Sequence, residues 1–404
     1  MTGRVFIPDE DTFPSSADVV VIGGGIVGVA AAFWLSKAGL ETVLIEMRDG
    51  LSTLTTPASI ESFRLQFTEP AMSELAQQSV DVFENFADVV GLPGYDIALH
   101  HRGYLFLTDD ENMVDRFKTA VETHHALGVT DSEFLDRSEI QSRFPYVSPK
   151  AVAATFRQND GWLSSHEVTQ GFAKGSAARF LLRTKVTGIT TDAQGVSGVE
   201  TTRGIIDTGV VVNAAGPFAG EVARMAGVEL PLEPVRRQKV FVQPMPQIPS
   251  EAPLSIDVTR EVYFRPESGG ALLGWVDPDE PVAQPAEDVP TDWNFPAVVL
   301  DKLTSMFPFW ENIISRLSSD QLRTSAGYYV YTPDDQPLIG PTPQLNGFYV
   351  NCGYWAGVML APAAGKRIAD LVTGTLRPEQ NPLRTTRYDD GAVVEGDSFL
   401  RGRR

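Results

Sequence analysis

Sulfur ligands and imidazoles are scarce in this chain. Its 404 residues include one cysteine, Cys352, and five histidines. A single thiol excludes an internal disulfide and a thiolate metal cluster, and it is typical of a protein in a reducing compartment. The histidine pairs at 100–101 and 124–125 have no further ligand at metal-binding spacing. We therefore expect no bound metal.

Positive charge and long apolar runs are also scarce. Lys and Arg number 33 against 52 Asp and Glu, which gives a formal net charge of −19. Nucleic acids and anionic membranes attract clustered Lys and Arg, so neither is an expected partner. No apolar run reaches the roughly 18 residues that a membrane span needs. Residues 1–17 lack a cationic segment followed by an apolar one, so we expect a cytoplasmic protein.

The length of the chain indicates more than one domain. An average domain has about 150 residues, so a chain of 404 predicts two. The hydrophobic fraction of 43% and the charged fraction of 21% are ordinary for globular proteins. A sizeable hydrophobic core is therefore expected.

The first recognisable unit begins with a strand and a glycine-rich turn. Asp18–Ile22 ends in consecutive apolar residues, which is typical of a strand buried on both faces of a parallel sheet. Gly23, Gly25 and Gly28 follow directly and fit the pattern G-x-G-x-x-G. The first glycine permits a tight turn, the second lets the backbone approach a pyrophosphate, and the third lets the next helix pack closely.

A helix, a second strand and an acid complete this unit. Ile26–Ala38 is rich in alanine and is followed by Gly39 at the usual helix-ending position. Thr42–Ile45 predicts a strand, and Glu46 follows it, 18 residues after Gly28. A carboxylate there can accept hydrogen bonds from ribose hydroxyls, while the helix amino terminus holds a pyrophosphate. The unit predicts a dinucleotide site; an ordinary βαβ unit without a nucleotide is the alternative.

The next segments could also face the nucleotide. A Ser/Thr-rich loop occupies Leu51–Ser59, and the sequence SFRLQF occupies Ser62–Phe67. A loop after the second strand lies on the nucleotide side of such a sheet, so Arg64 and Gln66 could face the cofactor. A solvated arginine at a helix start is the alternative. Pro70–Val90 has apolar residues at helical spacing and predicts an amphipathic helix.

The middle of the chain predicts a second domain. Ile97–Thr108 alternates and is rich in aromatic residues, which favours a strand of a different sheet. From Pro231 onward, prolines and apparent strands accumulate. Tyr263 and Arg265 are two residues apart in one of these strands, so they share a face. Arg265 could bind a substrate carboxylate and Tyr263 could add a hydroxyl, unless Arg265 forms an ion pair inside the domain.

Two later strand ends could approach the cofactor. The sequence VVNAAG at 211–216 ends a strand on small residues, which permits close approach of the backbone. Near the C-terminus, a strand at Gly347–Asn351 leads through the glycine-spaced loop Gly353–Gly357 into a helix that extends to Leu371. The amides at the start of this helix would face an anion, with the helix dipole behind them.

The chain resembles the FAD-dependent D-amino acid oxidase superfamily, in its glycine oxidase and sarcosine oxidase β-subunit branch. Four motifs carry the resemblance: VVVIGGGIVGVAAAFWLSKAG with VLIE, SFRLQF, VVNAAG, and TPDDQPLIG followed by GYWAGVMLAPAAGK. They extend over residues 18 to about 377. The last motif is much more specific than the first, which many dinucleotide enzymes share.

The resemblance implies an α/β (α+β) fold of two domains, similar to glutathione reductase and D-amino acid oxidase. A Rossmann-like FAD-binding domain would comprise residues 1–90, 150–230 and 325–404. A substrate-binding domain with a mixed sheet would comprise residues 91–149 and 231–324 and cover the flavin.

The resemblance also implies which residues bind FAD. Glu46 would bind the adenosine ribose, Val186 would contact the adenine side, and Gly216 would follow the pyrophosphate. The expected cofactor-binding residues are Gly23, Gly25, Ile26, Val27, Gly28, Glu46, Met47, Arg48, Ser52, Thr53, Arg64, Val186, Ala215, Gly216, Gly327, Gly353, Tyr354, Ala356, Gly357, Val358 and Met359.

Departures from the family pattern affect both the flavin and the substrate. Some members attach the flavin through a cysteine where this chain has Gly327, and others through a histidine in the early loop, which here contains none. We therefore expect non-covalent FAD. Glycines usually precede the Phe-Arg pair, where this chain has Glu61 and Ser62. Some sarcosine oxidases have a lysine that assists oxygen near the position of Leu272, and its replacement weakens the oxidase interpretation. Another lysine, which binds carboxylate, lies at about the position of Met359, so arginines are left as the candidates to bind a carboxylate here.

We expect an FAD-dependent oxidoreductase that oxidises a small amine or an N-substituted amino acid. Hydride transfer to flavin N5 from the carbon next to a neutral amine would give an imine that water hydrolyses. The substrate would be a carboxylated amine, the electron acceptor would be O2 or a carrier protein, and the chain could form a homo-oligomer or a larger complex. The candidate substrate-pocket residues are Arg64, Gln66, Tyr263, Arg265, Tyr328 and Tyr331.

Other functions remain open from the sequence. The same flavin geometry could oxidise a 2-hydroxy acid, which would require a base such as His101 or His166 for the hydroxyl proton. A flavoprotein could instead act as an assembly or interaction factor and bind FAD without reacting with amines. The chain could also be one subunit of a dehydrogenase whose partner carries any iron–sulfur cluster.

Overall fold

A computed structural model of the protein describes residues 4–391. The strands of this part of the chain are β1 (Arg4–Phe6), β2 (Val19–Ile22), β3 (Thr42–Ile45), β4 (Ser62–Phe63), β5 (Tyr104–Thr108), β6 (Glu133–Asp136), β7 (Ala153–Arg157), β8 (Gly161–Trp162), β9 (Arg179–Leu181), β10 (Val186–Asp192), β11 (Gly195–Thr201), β12 (Gly204–Asp207), β13 (Val211–Asn213), β14 (Glu233–Val242), β15 (Leu254–Asp257), β16 (Val262–Glu267), β17 (Gly270–Trp275), β18 (Leu322–Tyr331), β19 (Leu338–Pro341) and β20 (Phe348–Cys352).

The first α-helix follows β2, as the sequence predicts, and the other α-helices lie between strands or after the last strand. They are α1 (Ile26–Lys37), α2 (Thr55–Ala58), α3 (Pro70–Glu84), α4 (Phe86–Val90), α5 (Val114–Ala126), α6 (Arg137–Arg143), α7 (Ser165–Gly175), α8 (Ala219–Met225), α9 (Phe295–Met306), α10 (Phe309–Ile314) and α11 (Gly357–Val372). Among the described residues, no helix is both long and apolar enough to cross a membrane.

A seven-stranded sheet carries the predicted βαβ unit. Its strand order is β1-β9-β3-β2-β13-β20-β19, and every neighbouring pair is parallel except β19 with β20. All residues of β2 and β3 are buried, because helices cover both faces of the sheet. One face packs against α1, α3, α7 and α11, and the other face packs against α8. Continuous apolar runs are what a parallel sheet covered on both faces requires.

Backbone contacts at two glycines hold α1 against the sheet. Gly23 has a φ of +112°, and a Cβ there would lie 2.4 Å from the Ala214 carbonyl oxygen. A Cβ on Gly28 would lie 1.9 Å from the carbonyl oxygen of Gly23. Neither position can hold a side chain without moving main-chain atoms, so the turn and the first helical turn form one rigid piece.

The long helices α1 and α11 pack against each other at small residues. A Cβ on Gly365 would lie 2.6 Å from the carbonyl carbon of Ala30, so the two backbones are nearly in contact. The Trp34 side chain donates a hydrogen bond of 3.0 Å to the carbonyl of Pro362, inside α11. This packing sets the two amino termini side by side at one edge of the sheet.

An eight-stranded mixed sheet forms the second large layer. Its order is β18-β14-β17-β16-β15-β5-β7-β6, and only the pair of β15 with β5 is parallel. Val240, Phe264 and Leu273 point to one face, where they pack against α9 and α10. Residues at the alternate positions, such as Lys239 and Tyr263, point to the opposite face.

Several predicted boundaries differ from the structure. The strand predicted at Ile97–Thr108 includes only Tyr104–Thr108, and the helix predicted at Pro70–Val90 is interrupted at Asn85. The segment 150–230, assigned to the FAD-binding domain, contains β7, which pairs instead with β5 of the eight-stranded sheet. Long-range strand pairing, which the sequence pattern does not reveal, decides this membership. The domain boundaries stay a prediction.

The packing of α1 on α11 predicts the effect of one methyl group. Gly365→Ala should lower the free energy of unfolding by about 1–3 kcal/mol, because the new Cβ meets main-chain atoms of α1 that cannot move freely. Equilibrium urea unfolding measures this loss. Gly209→Ala is the matched control, because a Cβ there would have no atom within 4 Å. Equal stability of the two variants would contradict the close packing of these helices.

Candidate active site

A large cavity, here the first cavity, opens at the carboxyl ends of β2, β3 and β13. Its empty volume is about 1370 Å³, and it extends from the glycine turn after β2 to the start of α11. Sheets of this kind bind nucleotides at this edge. The predicted cofactor residues that line it are Gly23, Gly25, Ile26, Val27, Glu46, Met47, Arg48, Ser52, Thr53, Val186, Ala215, Gly216, Gly353, Tyr354, Gly357 and Val358.

Glu46 presents a buried carboxylate to the first cavity. One carboxylate oxygen accepts a hydrogen bond of 2.6 Å from the Gly24 amide, and the other accepts one of 2.7 Å from the Arg48 amide. Burial raises the pKa of Glu46, and the two amide hydrogen bonds oppose this rise. The carboxylate is therefore fixed in place and retains acceptor capacity for ribose hydroxyls.

The wall of the first cavity suits FAD. α1 and α11 both begin there, and the preceding residues, Gly25 and Ala356, make no side-chain capping hydrogen bond. The Ile26 amide donates to Thr56 Oγ1 at 3.3 Å, and the other amides in the first turns of both helices can donate to anionic groups. Ser52 Oγ and Asn351 Nδ2 are buried in this wall without a hydrogen-bond partner among the described residues. Polar atoms of a bound dinucleotide would satisfy them.

A second cavity, with an empty volume of about 1010 Å³, lies between the eight-stranded sheet and the start of α11. The residues that line both cavities are Ser59, Tyr329, Trp355, Gly357 and Val358. A ligand extending along the first cavity to α11 therefore reaches the wall of the second. The aromatic residues lining the second cavity are Tyr104, Tyr263, Tyr329, Tyr331 and Trp355.

Two tyrosines of the second cavity, Tyr263 and Tyr329, are neutral hydroxyls near neutral pH. Tyr263 lies opposite Gly274, and a Cβ on that glycine would stand 2.2 Å from the tyrosine side chain, so only glycine leaves room for the ring. Burial and neighbouring tyrosines raise the pKa of Tyr263 and of Tyr329, while the charge of Arg237 opposes the rise. These side chains can exchange hydrogen bonds with a substrate near neutral pH but are not strong bases.

Three acidic residues line the second cavity, and among the described residues no Lys, Arg or His does so. Glu61, Glu261 and Asp335 have left-handed backbones with φ of 59°, 56° and 57°. This conformation costs of order 1–3 kcal/mol per residue, and such strained residues cluster at functional sites. Glu61 stands where the resemblance predicts a glycine, the residue that adopts a left-handed backbone without strain.

The structure places Arg64 and Gln66 behind the second cavity, outside both walls. Arg64 is 1% exposed, and its guanidinium donates a hydrogen bond to the Gln66 carbonyl and lies over aromatic rings. The Gln66 amide donates to the carbonyl of Tyr104 at 3.0 Å and to Asp160 at 3.1 Å, and it accepts from Thr155 at 2.8 Å. These interior contacts do not support the prediction that the two side chains face the cofactor or substrate.

Arg265 also lies outside both walls. Its Nε donates to the Ile60 carbonyl at 2.9 Å, its guanidinium pairs with Glu267, and the Glu61 carboxylate lies 3.8 Å away. Burial lowers the pKa of Arg265, and the two acids oppose this change. The predicted contact with a substrate carboxylate is not supported, because the ion pairs inside the domain already occupy this side chain.

The other predicted substrate and flavin residues divide between the two cavities. Tyr328 lines the first cavity, and its hydroxyl accepts a hydrogen bond of 3.2 Å from the Ala286 amide. Tyr331 lines the second cavity. Ala356 and Met359 also line the second cavity, at the start of α11. All four therefore border a cavity where the sequence predicted a ligand.

Gly28 and Gly327 line neither cavity. Gly28 contacts the glycine turn, as described above. A Cβ on Gly327 would lie 2.9 Å from the Cβ of Ala58, so this glycine lets β18 approach α2. Both residues pack closely against neighbouring parts of the chain, and their assignment as cofactor contacts stays a prediction.

A buried ion pair holds the loop that ends the second cavity. Asp334 and Arg387 lie 2.7 Å apart, and both side chains are fully buried. Burial alone would raise the pKa of Asp334, but the hydrogen bonds and charge of Arg387 lower it overall. The next carbonyl, that of Asp335, accepts a hydrogen bond of 2.8 Å from Trp355 Nε1. The pair thus fixes the ring that separates the two cavities.

The sequence did not predict several wall residues. They include Thr55, Thr56, Tyr329 and Asn351, whereas Trp355 belongs to the predicted loop Gly353–Gly357 without an individual assignment. Tyr329 carried a usable signal, because alternation along a strand places it on the face of Tyr331 and opposite Tyr328. The two threonines belong to the predicted Ser/Thr-rich loop but have no individual signal.

Within residues 4–391, no group of three or more His, Cys, Asp or Glu is arranged to hold a metal ion. Cys352 is buried, and burial raises the pKa of its thiol to about 12. His101 and His166 lie outside the walls of both cavities. The expected absence of a metal stays a prediction.

The two cavities by themselves define a class of protein. A nucleotide cavity on a parallel sheet opens into an aromatic cavity under a mixed sheet, which is the arrangement of a dinucleotide-dependent oxidoreductase. The family model described as DAO, FAD dependent oxidoreductase, matches residues 18–371. Because this is most of the chain, the protein belongs to that family, and its cofactor is FAD.

Two of the similar curated proteins are dehydrogenases of greater length. Dimethylglycine dehydrogenase of Rattus norvegicus is 26% identical over 98% of this chain and 48% of its own length. Sarcosine dehydrogenase of Homo sapiens is 28% identical over 91% of this chain and 41% of its own length. The chain thus spans about half the length of these relatives. Both names include "mitochondrial", so the expected cytoplasmic location of this chain stays a prediction.

Solved structures cover nearly the whole chain. L-proline dehydrogenase from P. horikoshii is 29% identical with a TM-score of 0.82, over 95% of this chain and 100% of that one. Glycine oxidase from Geobacillus kaustophilus is 23% identical with a TM-score of 0.79, over 92% and 99%. The predicted fold class and the resemblance to the glycine oxidase and sarcosine oxidase branch are confirmed. The protein is an FAD-dependent oxidoreductase related to enzymes that act on amines and amino acids.

The geometry of Glu46 predicts how pH affects FAD binding. The ionised carboxylate is the better acceptor for ribose hydroxyls, and burial raises its pKa. As pH falls, FAD binding should therefore weaken at a higher pH than it would if Glu46 had the pKa of an ordinary glutamate. Binding should recover as pH rises. Glu46→Gln should weaken binding about 10- to 100-fold at neutral pH and flatten this pH dependence. Flavin fluorescence measures the affinity, and an unchanged pH profile in the variant would contradict the role of Glu46.

Proposed function

We propose that the protein oxidises a secondary or tertiary amine, most simply an N-methylated or cyclic amino acid, at the junction of the two cavities. The observation that carries this proposal is the shared wall formed by Tyr329, Trp355, Gly357 and Val358. FAD supplies the hydride acceptor when bound. A ligand in the second cavity and the ring end of a dinucleotide in the first would meet at this wall.

The chain's own residues contribute orientation and electrostatics. The amino terminus of α11 directs amides at the junction, where they would stabilise developing negative charge. The aromatic walls exclude water and provide π-faces for an amine and its substituents. Dehydrogenation of an uncharged amine needs no strong base, and the neutral tyrosines of the second cavity are consistent with this requirement.

Relatives support the substrate class. The names dimethylglycine dehydrogenase, sarcosine dehydrogenase and L-proline dehydrogenase all describe oxidation of a secondary or tertiary amino acid. By contrast, oxidation of a 2-hydroxy acid would need a base for the hydroxyl proton, and His101 and His166 lie outside both cavity walls. The structure therefore favours amines over hydroxy acids.

The acceptor proposed for the electrons is a carrier protein. Leu272 is buried on the cavity side of β17, where some sarcosine oxidases have a lysine that assists oxygen. A leucine supplies no charge to attract superoxide, so reaction with O2 should be slow.

Anaerobic mixing with a substrate panel tests the proposed function. N,N-dimethylglycine, sarcosine or L-proline should bleach the visible flavin absorbance, whereas 2-hydroxy acids such as lactate should not. Air should restore the colour slowly, and an artificial electron acceptor should restore it quickly. Bleaching by hydroxy acids alone would refute the amine proposal, and no bleaching by any compound would favour a non-catalytic flavoprotein.

We also propose that FAD is held without a covalent bond. Among the described residues, neither cavity is lined by a histidine or a cysteine, the residues through which relatives of this branch attach flavin. Denaturing the yellow protein in acid or detergent and filtering it should release all colour into the filtrate. Colour that remains with the polypeptide would contradict this prediction.

A further inference from the structure

Arg237 is a buried cation that has no role in the proposal above. It lines neither cavity itself, but it contacts Tyr331, which belongs to the wall of the second cavity. It lies on β14, and its exposed fraction is 8%. Strand register places it on the same face of the eight-stranded sheet as Tyr263 and Tyr329. That face forms the wall of the second cavity.

The hydrogen bonds of Arg237 all go to neutral groups. One Nη donates to the Tyr331 hydroxyl at 3.1 Å, and the other donates to the carbonyls of Arg236 and Asp277, each at 3.2 Å. Its Nε is buried without a hydrogen-bond partner, and no carboxylate of the described residues forms an ion pair with it. A buried guanidinium without an anion is costly, so an anion is expected to complete the site.

Other buried arginines show what is missing here. Arg157 pairs with Asp160 at 2.7 Å, and Arg387 pairs with Asp334 at 2.7 Å. The neighbouring Arg236 points to the other side of β14 and pairs with Glu280 at 2.8 Å. Each of these guanidinium groups is neutralised by the protein itself.

The charge of Arg237 reaches the residues that line the second cavity. Burial raises the pKa of Tyr263, Tyr329 and Glu261, and in each case Arg237 opposes the rise. Its positive potential therefore extends into a cavity whose described wall contains no Lys, Arg or His. Tyr331, which Arg237 holds, belongs to that wall.

We propose that Arg237 and the Tyr331 hydroxyl together receive the carboxylate of the substrate in the second cavity. This assignment rests on the proposed function and replaces the two arginines that the sequence suggested. It makes Arg237 a specificity-determining residue, because it distinguishes a carboxylated amine from its decarboxylated counterpart. Charge-assisted hydrogen bonds of this kind are the strong ones in protein–carboxylate recognition.

Binding of an unreactive carboxylate tests the assignment without requiring turnover. The probe is 2-furoate, with the uncharged amide 2-furamide as its isostere, and perturbation of the flavin spectrum of the FAD-loaded protein measures each dissociation constant. Arg237→Gln should weaken 2-furoate about 10- to 100-fold and leave 2-furamide unchanged. Arg237→Lys should restore part of the loss. Arg236→Gln, which removes the neighbouring arginine on the other side of β14, should alter neither ligand.

A second variant covers the case in which Arg237→Gln does not fold. Tyr331→Phe keeps the guanidinium and removes one hydroxyl, so it should weaken 2-furoate by a smaller factor, about 3- to 10-fold, and spare 2-furamide. Failure of the wild-type protein to bind 2-furoate would overturn the assignment. So would equal weakening of both ligands, because that result indicates a purely structural role.

Kinetics provide an independent check. For Arg237→Gln, KM for N,N-dimethylglycine should rise by about 10- to 100-fold with a smaller change in kcat, while the constants for trimethylamine, which lacks the carboxylate, should not change. If no amine reduces the flavin in the wild-type protein, the proposed function fails, whereas the 2-furoate measurements still decide the role of Arg237.

Discussion

The close approach of main chains around α1 is the constraint on which the site depends. Gly28 contacts the Gly23 carbonyl, Gly23 contacts Ala214, and Gly365 brings α11 against Ala30. These contacts leave no room for a Cβ, so the ends of three strands and the starts of two helices share one small region. The amide groups and dipoles of both helices therefore converge on the same cavity, which no single helix could achieve.

The second cavity depends on an equally local feature, the alternation of side chains along β14, β16 and β18. One face of these strands packs apolar residues against α9 and α10. The other face presents tyrosines to the cavity and carries Arg237, which contacts one of them. The sheet is thus a core layer on one side and a recognition surface on the other. The ion pair of Asp334 with Arg387 then fixes the loop and the Trp355 ring at the junction.

Much of the nucleotide site could be predicted because its chemistry is encoded in consecutive residues. The glycines, the helix and Glu46 lie within one short segment, and most predicted cofactor residues line the first cavity. The substrate side was predicted less well, because its residues come from separate strands. Arg64 and Arg265 looked suitable by type, but each meets interior partners that only the folded chain brings near.

The sequence by itself determined the βαβ unit, the FAD family and the expected class of reaction, since these follow from local spacing and motif order. Only the tertiary structure decided which cations form ion pairs and showed that Arg237 forms none with the described residues. Ion pairing joins residues far apart in the chain, as Arg387 joins Asp334, and its absence at Arg237 is visible only when every neighbour is in place. Burial sets the cost of an unpaired charge, and burial is a property of the fold.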